Sequence, residues 1–326
     1  MNSLFWLLLG LLSATSLAES FWIVGKNSIS FYTPGKAPLH QANISAETTL
    51  LDAASCLLWV QSQNRIQALN PSLHVVHQFE SNETLLGDQA QPEGFFTRSK
   101  TQWTLRSHEG KPLKTFKAPL EEPRELVGTL NSGFWMLQLD STESNLNLVH
   151  WSPQSALSWK QTLSAGAEIW GEPKLIWDPV RHSLWVGYSS TTPDHPYAPI
   201  LELWSTHGSR KHQKIFSEKG LFLDGCLLPH GELAIARDLP SAPYTVPLFS
   251  VFEQFNPDFL NQPLFQAAQN QLVRSMYCAQ GKVWSLQNSM FGGSPTQLTE
   301  WRADGSEQIL MSQKDPAWKI HACSLQ

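Results

Sequence analysis

The sequence predicts an all-β protein, a seven-bladed β-propeller closed into a ring by its C-terminal strand. Three observations carry this expectation. An aromatic-bearing strand recurs seven times, turn signals separate short apolar strands, and the C-terminal segment supplies the one strand that the first repeat lacks. The recurrence is clearest in "LLWVQSQ" (57–63), "FWMLQLD" (134–140), "SLWVGYSS" (183–190) and "KVWSLQN" (282–288). Its aromatic position falls at Trp22, Trp59, Phe96, Trp135, Trp185, Ala234 and Trp284, at spacings of 37, 37, 39, 50, 49 and 50 residues. Short strands repeated at that interval are the signature of propeller blades.

Each unit follows one grammar. A short apolar strand comes first, as in "TLLDAAS", "ELVGTL", "KLIWDP", "FLDGCLL" and "RSMYCAQ". The aromatic strand follows. A further hairpin completes the unit, seen in "WTLRSHEGKPLKTFK" (103–117), "ILELWSTHGSRKHQKIFS" (200–217) and "LTEWRADGSEQILMS" (298–312). Its Glu-Gly, His-Gly and Asp-Gly pairs are hairpin punctuation. The first unit has no leading strand of its own, whereas "WKIHACSLQ" (318–326) is a spare strand of that type. Joining the two ends completes a blade and leaves no inner edge open, the arrangement that unpaired backbone groups favour.

This repeat grammar, over residues 21–326, resembles seven-bladed propellers of the NHL and YVTN type and, more loosely, the quinoprotein-like propellers. No unit carries the Trp-Asp dipeptide of WD repeats. The resemblance implies a fold that hosts binders, lyases, hydrolases and dehydrogenase subunits alike.

The N-terminus, "MNSLFWLLLGLLSATSLAES", reads as a signal peptide over residues 1–18, with a single propeller domain over 19–326. Its apolar run, Leu4 to Leu12, is too short for a span of ~20 residues, and Ser16 and Ala18 suit cleavage before Glu19. The expected location is therefore outside the cytoplasm, periplasmic or extracellular, with no membrane span left after cleavage. Only 16% of residues are charged, the net charge is −5 and no Lys/Arg block occurs, so a nucleic-acid partner is not expected.

In a propeller the first strand of each blade lines the central channel. We align these strands on Cys323, Ala54, Gln89, Gly128, Asp178, Cys226 and Cys278. Side chains alternate along a strand, so one face carries Ile320, Leu51, Leu86, Glu125, Leu175, Leu223 and Ser275 against neighbouring sheets. The other face is expected to look into the channel. Four residues before the reference position stand Lys319, Leu50, Leu85, Arg124, Lys174, Phe222 and Arg274, four of them basic. Cations ~10 Å apart repel by ~0.4 kcal/mol in water and ~1.7 at an effective dielectric of 20, so such a ring is tolerable and favours an anion. Arg124, Lys174, Arg274 and Lys319 are thus the candidate ligand-binding residues. The alternative is a rim in which Glu122 and Glu172 pair with the basic residues of neighbouring blades.

Two residues before the reference position, His321 is expected to face Asp52 across the channel wall, with Asp224 on blade 6. A carboxylate that orients an imidazole begins general acid–base chemistry or a metal site. These three are the candidate catalytic residues. No third convergent ligand is visible, and neither a metal nor a cofactor is expected. The remaining histidines do not gather. No glycine-rich phosphate loop stands in a strand-to-helix context; "MFGGSP" (290–295) lacks one.

Cys226, Cys278 and Cys323 share the reference position on consecutive blades, and Cys56 lies near the end of the inner strand of blade 2. We take them as buried, reduced thiols, because neighbouring inner strands can exceed the ~7 Å Cα limit of a bridge. Two disulfides remain the alternative, with three connectivities open; Cys278–Cys323 would lock the closing blade. Blades 5 to 7 carry enlarged loops (189–199, 237–247 and 288–295) that leave one face. The functional expectation is an exported binding protein, a monomeric ring or a subunit of a complex. It would hold a protein partner or an anionic small ligand at one channel mouth and those loops. The alternative is a channel-mouth enzyme of lyase or hydrolase type, or a subunit of a redox or dehydrogenase complex.

Overall fold

Every regular element among the described residues of the computed structural model is a strand, and the strands pair in four-stranded antiparallel blades arranged in a ring of seven. The structure describes residues 19–324 apart from 26, 36–39, 45, 92, 118–122, 130–132, 141–144, 153–156, 166–167, 192–197, 218–219, 230, 241–247, 257, 259–260, 267–270, 290–294, 303–305 and 314–316. The expected signal peptide lies outside the described residues, as do Glu122 and most of the three enlarged loops. Among the described residues no helix is long and apolar enough to cross a membrane.

The inner strands of blades 1 to 7 are Ala317–Ser324, Thr48–Asp52, Thr84–Gln91, Pro123–Thr129, Ile169–Asp178, Phe222–Leu227 and Gln271–Ala279. Blades 2 and 3 share a parallel pairing between inner strands, Leu51 opposite Gln89. Closure is as the sequence predicts. The C-terminal strand pairs antiparallel with Glu19–Gly25, placing Trp22 opposite His321 and Ile23 opposite Ile320. The first and last strands of the domain thereby satisfy each other's backbone groups.

The recurring aromatic position has one task in every blade, to fill the wedge between its own sheet and the next. Trp22 packs with Leu51 and Leu58 of blade 2. Trp59 packs with Leu85 and Phe95 of blade 3, and Phe96 with Leu126 and Phe134 of blade 4. Trp135 meets Leu175 and Leu184 of blade 5, while Trp185 meets Phe222 and Leu233 of blade 6. Trp284 completes the ring against Phe21 and Ile320 of blade 1. All seven positions are buried. Where the repeat offers only Ala234, Trp301 of blade 7 enters from the other side, together with Val283 and Met276. "SLWVGYSS" needs its glycine for the same reason. A Cβ on Gly187 would lie 2.2 Å from the Phe222 ring, which occupies that space.

The cysteines are paired, contrary to the reduced state expected. Cys56 is bonded to Cys323 and Cys226 to Cys278, each with Cα atoms 5.5 Å apart, inside the limit that had argued against bridges. Neither bond is Cys278–Cys323. The shared position was also misaligned: Cys226 pairs across to Ala234, Cys278 to Val283 and Cys323 to Ser20, at three different heights. Each bridge reinforces a particular seam. Cys226–Cys278 lies in the cluster where alanine replaces the wedge aromatic. Cys56–Cys323 fixes the closing strand to blade 2, beside Trp22, whose indole N–H donates to the Cys56 carbonyl at 3.3 Å.

Candidate functional site at the channel mouth

The inner strands surround a channel of about 600 Å³ whose lining draws on the inner strands of blades 1 and 3 to 7. They run in one direction, so the residues at their beginnings share one mouth. Strand pairing gives the heights. Lys319, Glu125, Lys174, Asp224 and Ser275 stand opposite equivalent positions, two residues beyond the wedge position of the second strand.

This register corrects the sequence alignment in an informative way. In blades 1, 4, 6 and 7 the inner strand carries one extra residue just before that height: Trp318, Arg124, Leu223 and Arg274. Such β-bulges re-aim a side chain out of the regular pleat. Trp318, Arg124 and Arg274 are exposed in consequence. The four basic residues therefore do not form one ring. Arg124 and Arg274 sit on bulges, whereas Lys174 and Lys319 are in regular register. Lys174, Arg274 and Lys319 line the channel and Arg124 is not part of that lining.

Their electrostatic states differ. Lys174 is tied to Glu125 of the neighbouring blade at 3.3 Å and lies 3.9 Å from Glu172 of its own strand. Glu125 was expected against a neighbouring sheet, but it lines the channel and neutralises this cation. Lys319 stands 5.9 Å from the Trp318 ring centroid, within cation–π range. Arg274 has no ion pair or side-chain hydrogen bond to any of the described residues. Among the described residues the mouth thus presents an unneutralised guanidinium, with an aromatic face and an ammonium also at this height.

Beyond this height the lining combines Leu126, Met276 and Ile320, largely buried between blades, with the half-buried Ile176 and with His321. Tyr277 also belongs to it; burial, aided by the nearby Glu19, pushes its phenol up to about 12, so it stays neutral. Trp177, nearer the far end, stacks on Trp135 at 5.1 Å.

The candidate catalytic residues are not brought together as an acid–base group. His321 lines the channel, but its Nε2 is hydrogen-bonded to the Thr49 hydroxyl at 3.1 Å. Asp52 is the last residue of its strand, so Ala54, the chosen reference, falls in the following turn. The Asp52 carboxylate accepts from the Ala54 amide and the Ser55 hydroxyl. It also meets His108 Nδ1 at 2.8 Å, a pairing with blade 3 that the sequence did not suggest. Asp224 accepts the Met276 amide at 2.7 Å and so links blade 6 to blade 7. Among the described residues no three His, Cys, Asp or Glu side chains gather as a metal site.

The residue missed at the mouth is Trp318. Its only sequence signal was its position directly before Lys319 in the closing strand. The far larger group of residues missed is structural. Glu202, fully buried in blade 5, accepts from Trp204 Nε1, Arg210 Nη1 and Gln213 Nε2 at 2.7–2.9 Å. Glu83 does the same in blade 3 for Thr97, Thr104 and Arg106, whose bonds hold its carboxyl below the usual carboxylate range despite burial.

No protein-family profile matches the sequence, and a search of curated proteins matches none. Solved structures do match in fold. A streptogramin B lyase aligns with a TM-score of 0.56 at 11% identity, covering 90% of this chain and 88% of that one. The Pan2 WD40 domain of Neurospora crassa aligns at 0.55 and 10%, covering 83% and 80%. BBS1N, solved in complex with ARL6DN, aligns at 0.54 and 10%, covering 90% and 87%. At these identities the likeness establishes the propeller fold and nothing of the chemistry.

Proposed function

We propose that this chain is an exported binding protein, a propeller of NHL or YVTN type, whose recognition site is the channel mouth. It holds an anionic group, either of a small molecule or on a partner's acidic surface. The observation that carries this reading is Arg274: exposed, raised on a bulge, lining the channel and unpaired among the described residues. Lys319 and Trp318 flank the anion. Lys174, pinned by Glu125, shapes the wall, and Arg124 supplies a further cation outside the lining. The enlarged loops of blades 5 to 7 connect second to third strands, and the alternating strand directions bring those connections to the end where the inner strands begin. They are therefore candidates for a partner-contact rim. Two disulfides agree with an oxidising compartment and support export.

A thermal-shift panel of sulfate, phosphate, citrate and small carboxylates tests the reading. An anion at 100 times its dissociation constant stabilises by about 2.7 kcal/mol. That corresponds to roughly 4 °C for a domain of this size. Arg274→Ala should abolish the shift, while Lys111→Ala, on an exposed turn, should leave it unchanged. Equal shifts in both variants would remove the mouth as the site.

A further inference from the structure

The channel narrows what kind of anion fits. We infer that the ligand is an amphipathic monoanion, a single carboxylate-like head on an apolar body, with the head at Arg274 and the body in the apolar waist. This rests on the reading of the mouth just given. Two observations select it. First, the charge available at the mouth is small. Lys174 is offset by Glu125 and Glu172, and Asp224 adds a carboxylate at the same height. A polyanion would bring negative charge against those carboxylates, whereas one anionic group matches Arg274 with Lys319 beside it. Second, among the described residues the wall below the mouth adds no lysine or arginine to meet a second charge, and its one histidine, His321, is engaged by the Thr49 hydroxyl. Leu126, Ile176, Met276 and Ile320 line that wall from four blades, and Tyr277 is held neutral. Water against that wall is displaced favourably by hydrocarbon. A space of about 600 Å³ falls in the range of pockets that enclose small organic ligands.

The test is calorimetric titration of the full chain with the n-alkanoates from butanoate to octanoate, with sulfate and citrate alongside. Each methylene buried in the waist should tighten binding by about fourfold. Arg274→Ala should weaken every member by a similar factor of ten or more, leaving the increment per methylene unchanged. Citrate, with three carboxylates, should bind no better than butanoate. A flat series with sulfate binding still dependent on Arg274 would overturn the amphipathic ligand and leave the anion-binding mouth standing. A steep series indifferent to Arg274→Ala, or no binding by any probe, would overturn both. Met276→Ser, a milder change than a buried charge, should reduce the affinity of octanoate more than that of butanoate; equal loss for both would also count against the waist.

Discussion

Removing the Cys56–Cys323 bridge should destabilise the ring more than removing Cys226–Cys278, although both join adjacent blades, the first from the turn after the blade 2 inner strand. The reason is the loop each one closes. The sequence separations are 267 and 52 residues. In the chain-entropy treatment these correspond to about 5.6 and about 4.1 kcal/mol at 25 °C, a difference of about 1.5 kcal/mol. Residual structure in the unfolded chain lowers the individual figures to about 2–5 kcal/mol. With an unfolding entropy of about 2.1 cal/mol/K per residue over the 19–324 span, this amounts to a fall in Tm of roughly 3–8 °C. Packing loss acts in the same direction, since Cys56 and Cys323 are buried in their inter-blade cluster whereas Cys226 and Cys278 are only partly buried in theirs. Cys56→Ala/Cys323→Ala and Cys226→Ala/Cys278→Ala would be compared by urea unfolding and thermal melts, beside wild type with and without dithiothreitol. Thiol titration of the denatured, unreduced chain should find none free. Four free thiols, or a larger loss from the Cys226–Cys278 pair, would refute the account of the closing seam.

Three further outcomes follow from the wedge packing and the buried carboxylates. Gly187→Ala should cost about 1–3 kcal/mol through its collision with Phe222, and Phe222→Leu should recover part of that loss in a double-mutant cycle; additivity would place the strain elsewhere. Trp135→Ala should cost about 3–5 kcal/mol, because the ring fills the blade 4–5 wedge and stacks on Trp177 and His150; a loss under 1 kcal/mol by urea unfolding would contradict the wedge role. Burial pushes the Asp238 carboxyl up to about 6, against the opposing pull of the Leu221 amide and Arg237. The folded chain therefore binds this proton more tightly than the unfolded one, and the group's contribution to stability falls as pH rises from about 4 to 6. Asp238→Asn should stabilise at pH 7 by about 2–3 kcal/mol and by little at pH 4; a variant whose advantage does not shrink on acidification would show that the carboxyl is not so perturbed.

The blade count and closure were legible because they depend on a periodic apolar pattern, which the ring geometry requires at every repeat. Even the exception at Ala234 kept the spacing, and Trp301 shows how the packing compensates. The cysteine pairing was not legible, since it depends on how close adjacent inner strands come at heights that sequence alignment cannot assign to within one residue. The same one-residue uncertainty affected the site. Arg124 and Arg274 are bulge residues, and a bulge adds a residue without any change in composition to mark it. Treating them as in register with Lys174 and Lys319 suggested a ring of four equivalent cations, whereas three line the channel and one of those is neutralised by Glu125. The expected His321–Asp52 contact failed for a related reason. The inner strand of blade 2 ends at Asp52, so the carboxylate turns to His108 and the imidazole to Thr49.

The most direct test of the central claim is a crystal structure of the chain with whichever anion gives the largest thermal shift. Density for that anion within hydrogen-bond distance of Arg274, beside Lys319 and Trp318, is the result this account predicts. An anion bound on an outer blade surface, with the mouth holding only water, would contradict it.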